Sequence, residues 1–283
     1  MTRPLNIAAV YCVYNEEEYI EYSIRSIYEF VDRIYVLLGQ GPYSAYNPHA
    51  RATFSAADRT EAIVRTLADR LPKIQLVNGL WDSELDHRNA GVRLCRKEGI
   101  RYYFLVDGDE VYHRDHLKNL QEEIETHPHV GQFIIKCDTF WRSFHYRIPA
   151  RELSWRPRRI FKLTRHRRLL GIPFPYRLRF KGINDLNSLG SLYEFPPEEA
   201  IFYHFSYARS PSRMREKLAT FPHAREILNG WYEKVWAAWP GQREMPNIHP
   251  TDPPKFPRAV RQPLTDLPAV MRAHPYYGLD VIS

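Results

Sequence analysis

Apolar runs that are typical of buried strands alternate with helical patterns over residues 1–125. The strand-like runs, in which Ile, Val and Tyr are common, occur at residues 6–14, 34–38, 74–77 and 102–106. They are too unbroken for half-exposed strands, so they predict strands that are buried on both faces. Between them, apolar residues recur at helical spacing in residues 20–31, 58–71 and 87–98. Strands that alternate with helices predict a mostly parallel sheet built from βαβ units.

Residues that favour helix ends flank two of these helices. Asn15 is expected to cap the first helix at its N-terminus. Glu16, Glu17 and Glu18 would then lie in the first turn, where carboxylates interact favourably with the helix dipole. Gly99 directly follows residues 87–98, in the position expected of a C-terminal cap.

The pattern changes after residue 125. A helix is predicted at residues 116–126, and strands are predicted at residues 132–136 and 201–205. Ser210 followed by Pro211 is typical of a helix start. Residues 240–275 contain nine prolines and are expected to form an extended arm on the surface. Before this arm, a stripe of aromatic residues at helical spacing is predicted to pack against the sheet: Trp231, Tyr232, Trp236 and Trp239.

The composition is that of an ordinary globular protein. Of the 283 residues, 44% are hydrophobic, which suggests neither a disordered chain nor a repeat array. The early apolar stretch at residues 7–14 is too short to span a membrane and lacks a signal-peptide pattern, so we expect a cytoplasmic protein. Cys12, Cys95 and Cys137 are far apart in apolar segments, and this favours reduced, buried thiols over a zinc site or a disulfide.

The net charge of +7 is concentrated in a basic run at residues 156–168. Such a run suits an anionic partner, which could be a diphosphate, a nucleic acid or an acidic membrane surface. Trp155, Phe161 and His166 are interleaved with the charges, as in proteins that stack on nucleic-acid bases. A nucleic-acid-binding protein is therefore an alternative function, and a solvated basic face is the alternative without function.

The residues with the clearest chemistry are Asp107, Asp109 and Glu110, which follow the strand at residues 102–106. Ligands of parallel α/β sheets bind beyond the carboxyl ends of the strands. Two carboxylates separated by Gly108, which allows a sharp turn, can hold Mn²⁺ or Mg²⁺ through oxygen ligands. The alternative is a surface turn in which Asp107 caps a helix and Asp109 points to solvent.

Five segments, in their order and spacing, together resemble family 2 glycosyltransferases of the GT-A type. The resemblance covers residues 5–215. It rests on five features in chain order: the carboxyl end of the first strand, a helix start of the form Arg-Asn-x-Gly, an apolar strand followed by D-x-D, an R-x-F-K segment and a His-x-Ser-Tyr segment. These segments are Val13-Tyr14-Asn15-Glu16, His87-Arg88-Asn89-Ala90-Gly91, Leu105-Val106-Asp107-Gly108-Asp109-Glu110, Arg159-Ile160-Phe161-Lys162 and Tyr203-His204-Phe205-Ser206-Tyr207-Ala208-Arg209.

The resemblance implies a GT-A-like α/β fold and a role for each matching residue. The donor-binding residues would be Tyr14 and Glu16 beside the nucleoside, Arg88 and Asn89 near the base or diphosphate, and Asp107. The metal ligands would be Asp107, Asp109 and His204, although a hydrogen-bonded histidine is the alternative for the last of these. We predict a catalytic domain at residues 1–210, with a mostly parallel sheet flanked by helices, and a helical, then Pro-rich extension at residues 211–283.

An inverting sugar transfer also needs a carboxylate that takes the acceptor's proton. By its place in the resemblance, Asp185 is the expected base, with Glu194 and Glu152 in reserve; a turn is the alternative for Asp185. The sequence departs from the family after the second strand, where residues 38–42 replace a D-D-G-S-x-D loop. Only residues 55–60 are similar to the end of that loop, so UDP is expected as the nucleotide only because it is frequent in the family.

The expected function is therefore metal-dependent transfer of a sugar from a nucleotide-sugar donor to an unidentified acceptor: a glycan, a protein, a small molecule or a modified nucleic acid. A glycosyltransferase that acts on modified nucleic-acid bases would also use the basic run. A metal-dependent phosphotransferase or nuclease is a further alternative. It would need additional carboxylates near Asp107, Asp109 and Glu110, for which Glu84 and Asp86 are available.

Overall fold

A computed structural model of the chain describes residues 5–45, 58–163, 191–220 and 224–283. The described strands are β1 (Ile7–Val13), β2 (Arg33–Gly39), β3 (Ile74–Gly79), β4 (Tyr102–Val106), β5 (Glu110–Tyr112), β6 (Val130–Ile134), β7 (Lys136–Trp141), β8 (Tyr146–Ile148), β9 (Arg158–Lys162), β10 (Ser191–Glu194), β11 (Ile201–Tyr207) and β12 (Val260–Arg261). The α-helices are α1 (Ile20–Ile27), α2 (Thr60–Ala68), α3 (Glu84–Lys97), α4 (Arg114–Thr126) and α5 (Pro211–Thr220).

The predicted α/β fold with a mostly parallel central sheet is confirmed. This sheet has seven strands in the order β10-β6-β9-β4-β1-β2-β3, and β1 pairs in parallel with both β2 and β4. Among the described strands of this sheet, only β9 runs antiparallel to its neighbours, β4 and β6. The carboxyl ends of β1, β2, β3 and β4 therefore meet at one edge of the sheet, which is where ligands of such sheets bind.

The central sheet is covered on both faces, as its unbroken apolar runs predict. Alternate residues of β1 point into two apolar layers, one with Ile7 and Ala9 and the other with Ala8 and Val10. Helices α1 and α2 pack in the first layer, and α3 packs in the second through Val92 and Cys95. Cys95 and Cys137 are buried free thiols, as predicted, whereas the free thiol of Cys12 is only partly buried.

The first helix begins later than the sequence predicts. Asn15 is not its N-cap: the helix starts at Ile20, and Asn15 has a positive φ of 51°. Asn and Asp tolerate this left-handed conformation better than most residues do. The expectation that Glu16, Glu17 and Glu18 interact with the helix dipole is therefore wrong. The three residues instead form a loop between β1 and α1.

The predicted cap at Gly99 is confirmed. Its φ is +70°, its N–H donates to the Arg96 carbonyl over 3.1 Å, and the Ile100 N–H donates to the Cys95 carbonyl over 2.8 Å. These two bonds form a Schellman motif, which satisfies carbonyls at the end of α3. At its other end, the Ser83 hydroxyl accepts from the Asp86 N–H over 3.1 Å, so α3 begins three residues earlier than predicted.

A second sheet, which the sequence pattern does not reveal, lies beside the first. Its five strands have the order β12-β8-β7-β11-β5. The apolar run that starts at residue 130 supplies β6 to the central sheet and β7 to the second one, and Ile135 is the single residue between them. Strand β11 lies between β7 and β5 and carries the predicted His-x-Ser-Tyr segment to the edge of the central sheet.

The C-terminal segment packs on this framework through short turns. Pro211 begins α5, as predicted, and the aromatic stripe is buried against the main apolar layer, as predicted. The short helices are a π-helix at Tyr232–Ala237 and 3-10 turns at Ala224–Glu226, Trp239–Gly241, Pro253–Lys255, Leu264–Asp266 and Ala269–Ala273. Met271 and Ile282 are buried in a third apolar group with Tyr19 and Phe205. No helix in the described part of the chain is long and apolar enough to cross a membrane.

The close approach of α3 to the sheet depends on Gly91. A Cβ at this position would lie 2.4 Å from Val10 Cγ1, and Val10 is a stiff, buried side chain in the central strand.

We predict that Gly91→Ala lowers the free energy of unfolding by about 1 kcal/mol or more, because overpacking costs more than the gain in helix propensity. Urea unfolding measures the free energy of unfolding of the variant and of the wild type. Gly241→Ala is the control, since a Cβ there meets nothing within 4 Å; equal or higher stability of Gly91→Ala would contradict the packing argument.

Candidate active site

The acidic residues after β4 lie in the interior and not on a surface turn. Asp109 is 2% exposed and Glu110 is fully buried, while the Asp107 side chain is 34% exposed. The alternative in which Asp109 points to solvent is therefore wrong. A buried carboxylate is stable only when it is paired or hydrogen-bonded, so the partners of these three residues define the site.

Asp109 lies between two cations, Arg209 and Lys217, and a histidine. Its Oδ2 accepts from Arg209 Nη2 and from Lys217 Nζ, each over 2.7 Å, and its Oδ1 lies 3.5 Å from His204 Nε2. Burial favours the neutral acid, but Lys217, His204 and Arg209 together hold the pKa of Asp109 well below its usual range. Asp109 is therefore an anion that joins β4 to β11 and α5.

Asp107 and Glu110 share Arg159, a buried residue of β9. Arg159 donates to Glu110 and, over 3.2 Å, to Asp107 Oδ2. Glu110 also accepts from the Tyr112 hydroxyl over 3.2 Å. Burial raises the pKa of Asp107, but Arg159 and Arg88 outweigh it, and the pKa lies below the usual value. Of the three carboxylates, only that of Asp107 combines a negative charge with appreciable access to solvent.

Strand β11 brings His204 and Arg209 to Asp109. In its antiparallel pairing with β5, His204 lies opposite Glu110, and the Phe205 N–H donates to the Asp109 carbonyl over 2.9 Å. The chain leaves β11 at Tyr207, and Arg209 then turns back into the interior, where its side chain is 2% exposed. Lys217 follows on α5 and also donates to the Ser206 hydroxyl over 2.7 Å.

The loop after β1 is held by Arg209 and by two further groups, Arg213 and Tyr276. Glu16 Oε2 accepts from Arg209 over 2.7 Å, Glu17 pairs with Arg213 over 2.6 Å, and Glu18 Oε1 accepts from the Tyr276 hydroxyl over 2.6 Å. Burial raises the pKa of Glu16 to about 7, with Arg209 opposing the rise. The three acidic residues are thus counter-ions and acceptors for groups in the C-terminal third of the chain.

Gly108 lies in a tight turn, in which the Glu110 N–H donates to the Asp107 carbonyl over 3.1 Å, and it is required there for close packing. Its backbone does not have a positive φ. A Cβ at Gly108 would lie 2.9 Å from Glu16 Cγ and 3.1 Å from Val13 Cγ1. The glycine therefore lets the loop after β4 approach the end of β1, so that Asp109 and Glu16 can share the guanidinium of Arg209.

The predicted donor-binding residues lie around this edge of the sheet. Arg88 is buried in α3, pairs with Glu84, and interacts electrostatically with Asp107. Asn89 is the next residue of α3 and is partly buried. Tyr14 is also partly buried, and burial, together with Glu216 and other carboxylates, raises its pKa to about 12. Glu84 is thus the counter-ion of Arg88 and not a further metal ligand beside Asp107.

The chain on either side of residues 38–42, which replace the D-D-G-S-x-D loop, contacts α3 through His87. The Tyr43 hydroxyl and His87 Nδ1 form a 3.0 Å hydrogen bond, and His87 Nε2 lies 3.0 Å from the Leu37 carbonyl. Trp81 stacks on His87 with ring centroids 3.8 Å apart, and burial lowers the pKa of His87 to about 3. His87 is therefore a neutral structural residue that fixes the start of this loop.

Asp58, which belongs to residues 55–60, ties α2 to the loop after β1. It accepts from the Glu17 N–H over 3.0 Å, from the Thr60 N–H over 2.9 Å, and from Arg213 over 3.3 Å. Residues 55–57 lie outside the described residues. Asp58 is therefore a buried support of the glutamate loop.

The predicted metal ligands have the donor atoms that a divalent cation needs only on the Oδ1 side of Asp109. Asp109 Oδ1 and His204 Nε2 face each other, and Asp107 is partly open to solvent. His204 Nδ1 is buried and has no hydrogen-bond partner among the described residues. Oδ2 of Asp109 is already engaged by Arg209 and Lys217. Within residues 5–45, 58–163, 191–220 and 224–283, no three His, Cys, Asp or Glu side chains are grouped as metal ligands.

The basic run is a strand of the central sheet as far as it is described. In β9, Arg159 is buried in the ion pairs above, and Ile160 and Phe161 are buried in the core. Arg156 pairs with Glu194 over 2.7 Å. Residues 164–168 lie outside the described residues, as does Asp185, the predicted base. Of the two reserve candidates for the base, Glu194 forms an ion pair with Arg156, and Glu152 is exposed in a turn.

Arg209 and Lys217 are central residues to which sequence reasoning assigned no role. Arg209 ends the His-x-Ser-Tyr segment, and Lys217 follows it eight residues later on α5. The available signal was weak: basic residues follow a strand that was already expected at the site. Their partners Glu16 and Asp109 are 193 and 108 residues away in sequence, so no local pattern could pair them.

Together, the mostly parallel sheet, the D-x-D element at the end of β4 and the histidine on β11 define a glycosyltransferase of the GT-A type. The model of the family described as glycosyl transferase family 2 matches residues 9–181. Since this match covers more than half of the chain, the protein belongs to glycosyltransferase family 2.

Solved structures that are similar to the chain include two crystal structures of TarS from S. aureus. TarS 1-349 is 15% identical, over 83% of this chain and 77% of that one, with a TM-score of 0.45. The other TarS structure is 19% identical over 47% of this chain, with a TM-score of 0.35, and the match spans only 22% of that chain. These values are too low to inform the choice of donor or acceptor. No curated protein sequence matches the chain.

The buried pair of Arg159 and Glu110 should dominate the stability of the site. We predict that Arg159→Met lowers the free energy of unfolding by about 3 kcal/mol or more, because it leaves Glu110 buried without its counter-ion. Adding Glu110→Gln should recover part of the loss. Urea unfolding measures both. Arg65→Met is the control: its pair with Glu61 is exposed, and the expected loss is below about 1 kcal/mol. Equal effects of Arg159→Met and Arg65→Met would show that the pair is not critical.

Proposed function

We propose that the protein transfers a sugar from a nucleotide-sugar donor, with a UDP-sugar as the first candidate, to an acceptor with inversion at the anomeric carbon. Family membership supports the sugar transfer. The observation that carries the rest is the buried acidic group at the carboxyl ends of β1 and β4, with Asp109 in contact with three groups from β11, the following loop and α5. Such an edge is where a parallel α/β sheet binds its ligand.

The donor's nucleoside would lie near Tyr14 and Glu16, and its diphosphate between Arg88 and Asp107. Arg88 is held by Glu84, so its guanidinium is fixed beside the acidic group. Mn²⁺ or Mg²⁺, held by Asp107, Asp109 and His204, would supply Lewis-acid stabilisation of the departing diphosphate. Asn89, which follows Arg88 on α3, would contact the base or the diphosphate.

In the transfer, the acceptor oxygen forms a bond to the anomeric carbon as the bond from that carbon to the diphosphate oxygen breaks. The acceptor's proton passes to a carboxylate, for which Asp185 is proposed by its place in the family pattern. The nucleoside diphosphate leaves with the bonding electron pair. Acceptors of several classes, including glycans, proteins, small molecules and modified nucleic acids, carry a group that could attack in this way.

The alternative of a nucleic-acid-binding protein has less support. Over residues 156–163, the basic run contributes a buried strand and ion pairs rather than an open basic face. The alternative of a two-metal phosphotransferase also has less support. Its metals would need Glu110 as a ligand, but Glu110 is bound by Arg159 and by the Tyr112 hydroxyl. A transferase that acts on modified nucleic-acid bases remains within the proposed reaction.

Donor binding tests the role of Asp109. We predict that Asp109→Asn weakens binding of the cognate nucleotide sugar by about tenfold or more in the presence of Mn²⁺, because a charged ligand of the metal is lost. Titration calorimetry with UDP- and GDP-sugars measures this, and Asp69→Asn, at an exposed position, is the control. Unchanged affinity in folded Asp109→Asn would remove Asp109 from the donor site.

Transfer kinetics test Asp185 separately. We predict that Asp185→Asn lowers the turnover number by about 10²- to 10⁴-fold, because the acceptor's proton loses its base. Donor affinity should stay within about twofold, since proton transfer contributes to the transition state and not to donor binding. Release of nucleoside diphosphate, followed with Asp69→Asn as the control, measures turnover. Full turnover in Asp185→Asn would assign the base elsewhere.

A further inference from the structure

The acidic group presents a problem for an anionic donor. Five carboxylates surround the end of β4, and among the described residues the Lys and Arg side chains paired with them are Arg159, Arg209 and Lys217. The carboxylates are Glu16, Glu18, Asp107, Asp109 and Glu110. Because Asp107 and Asp109 carry negative charge at this edge, a diphosphate would be repelled unless an accessible positive charge meets it.

Two of the three cations are enclosed. The side chains of Arg159 and Arg209 are 3% and 2% exposed. Arg209 is held by Glu16, Glu18 and Asp109 at once, and Arg159 by Asp107 and Glu110. Their charges are committed to neighbouring carboxylates, so they support the site from within.

Lys217 differs in exposure and in freedom. Its side chain is 25% exposed, and its ammonium group donates to one carboxylate oxygen of Asp109 and to the Ser206 hydroxyl, each over 2.7 Å. An ammonium has three N–H donors on a flexible stem, so it can turn from one acceptor to another without movement of the helix. Lys217 is therefore a partly exposed cation beside Asp109 that can turn toward a ligand bound at this edge of the sheet.

We propose that Lys217 binds the diphosphate of the donor and moves toward it from Asp109 when the donor enters. The proposal rests on the proposed function, because it assumes a nucleotide-sugar donor at this edge of the sheet. A divalent cation on the Oδ1 side of Asp109 would repel the ammonium, and this favours the same movement. Lys217 thus supplies the leaving diphosphate with a positive charge that does not depend on the metal.

Nucleoside diphosphate binding with and without metal tests the proposal. The probes are UDP, GDP, dTDP and ADP, titrated calorimetrically in EDTA and in Mn²⁺. In EDTA, Lys217→Gln should weaken the tightest of these complexes by about tenfold or more, because a charge-assisted hydrogen bond is lost. Lys217→Arg should keep most of the affinity, and in Mn²⁺ the effect of Lys217→Gln should be smaller. Lys118→Gln, at an exposed lysine on α4, is the matched control and should bind as the wild type.

The outcomes separate this proposal from the proposed function. Binding that is abolished by EDTA, restored by Mn²⁺ and equal in the wild type and Lys217→Gln would overturn the role of Lys217 and leave the nucleotide site intact. No binding of any of the four nucleotides in either buffer would contradict the proposed function itself. Circular dichroism and thermal unfolding establish that each variant is folded, and Lys217→Arg separates loss of charge from loss of packing.

Discussion

The site depends on the burial of Arg209. Its guanidinium reaches Glu16 after β1 and Asp109 after β4, each over 2.7 Å, and Glu18 Oε2 lies 3.6 Å away. Removing a guanidinium from water is costly, and only several carboxylates in good geometry can offset that cost. The two loops at the edge of the central sheet are thereby fixed to the end of β11. Without this contact, the carboxylates would repel one another, and the edge would lose its shape.

The C-terminal segment extends this arrangement. The Glu18 carboxylate accepts from the Tyr276 hydroxyl, and Nε2 of His274 lies 2.8 Å from the Glu18 carbonyl oxygen. Two residues near the C-terminal end of the described chain therefore support the loop that holds Arg209. The buried Trp231, Trp236 and Trp239 join the same apolar layer as β1. The division into a catalytic domain at residues 1–210 and an extension at residues 211–283 stays a prediction, and residues of the extension contribute directly to the site.

Much of the fold could be predicted from the sequence, because each central strand is an unbroken apolar run; the strand at residues 102–106 has the predicted bounds. The second sheet could not, since the chain stays buried as it passes through Ile135 and the pattern does not change. The late start of α1 was missed for a related reason: Glu16, Glu17 and Glu18 have the composition of a first helical turn, but their partners are distant arginines. In the site, Asp109 and His204 were predicted and lie together, whereas the pairing of Arg209 and Lys217 with Asp109 is set by the tertiary fold.

The central claim is that this buried acidic edge serves sugar transfer. The most direct measurement is the release of nucleoside diphosphate from a panel of nucleotide sugars, with Mn²⁺ and with water as the acceptor. The account predicts that the wild-type protein hydrolyses at least one donor at a rate proportional to protein concentration, and that Asp109→Asn does so far more slowly. No release from any donor by the folded wild-type protein, or equal release by Asp109→Asn, would contradict it.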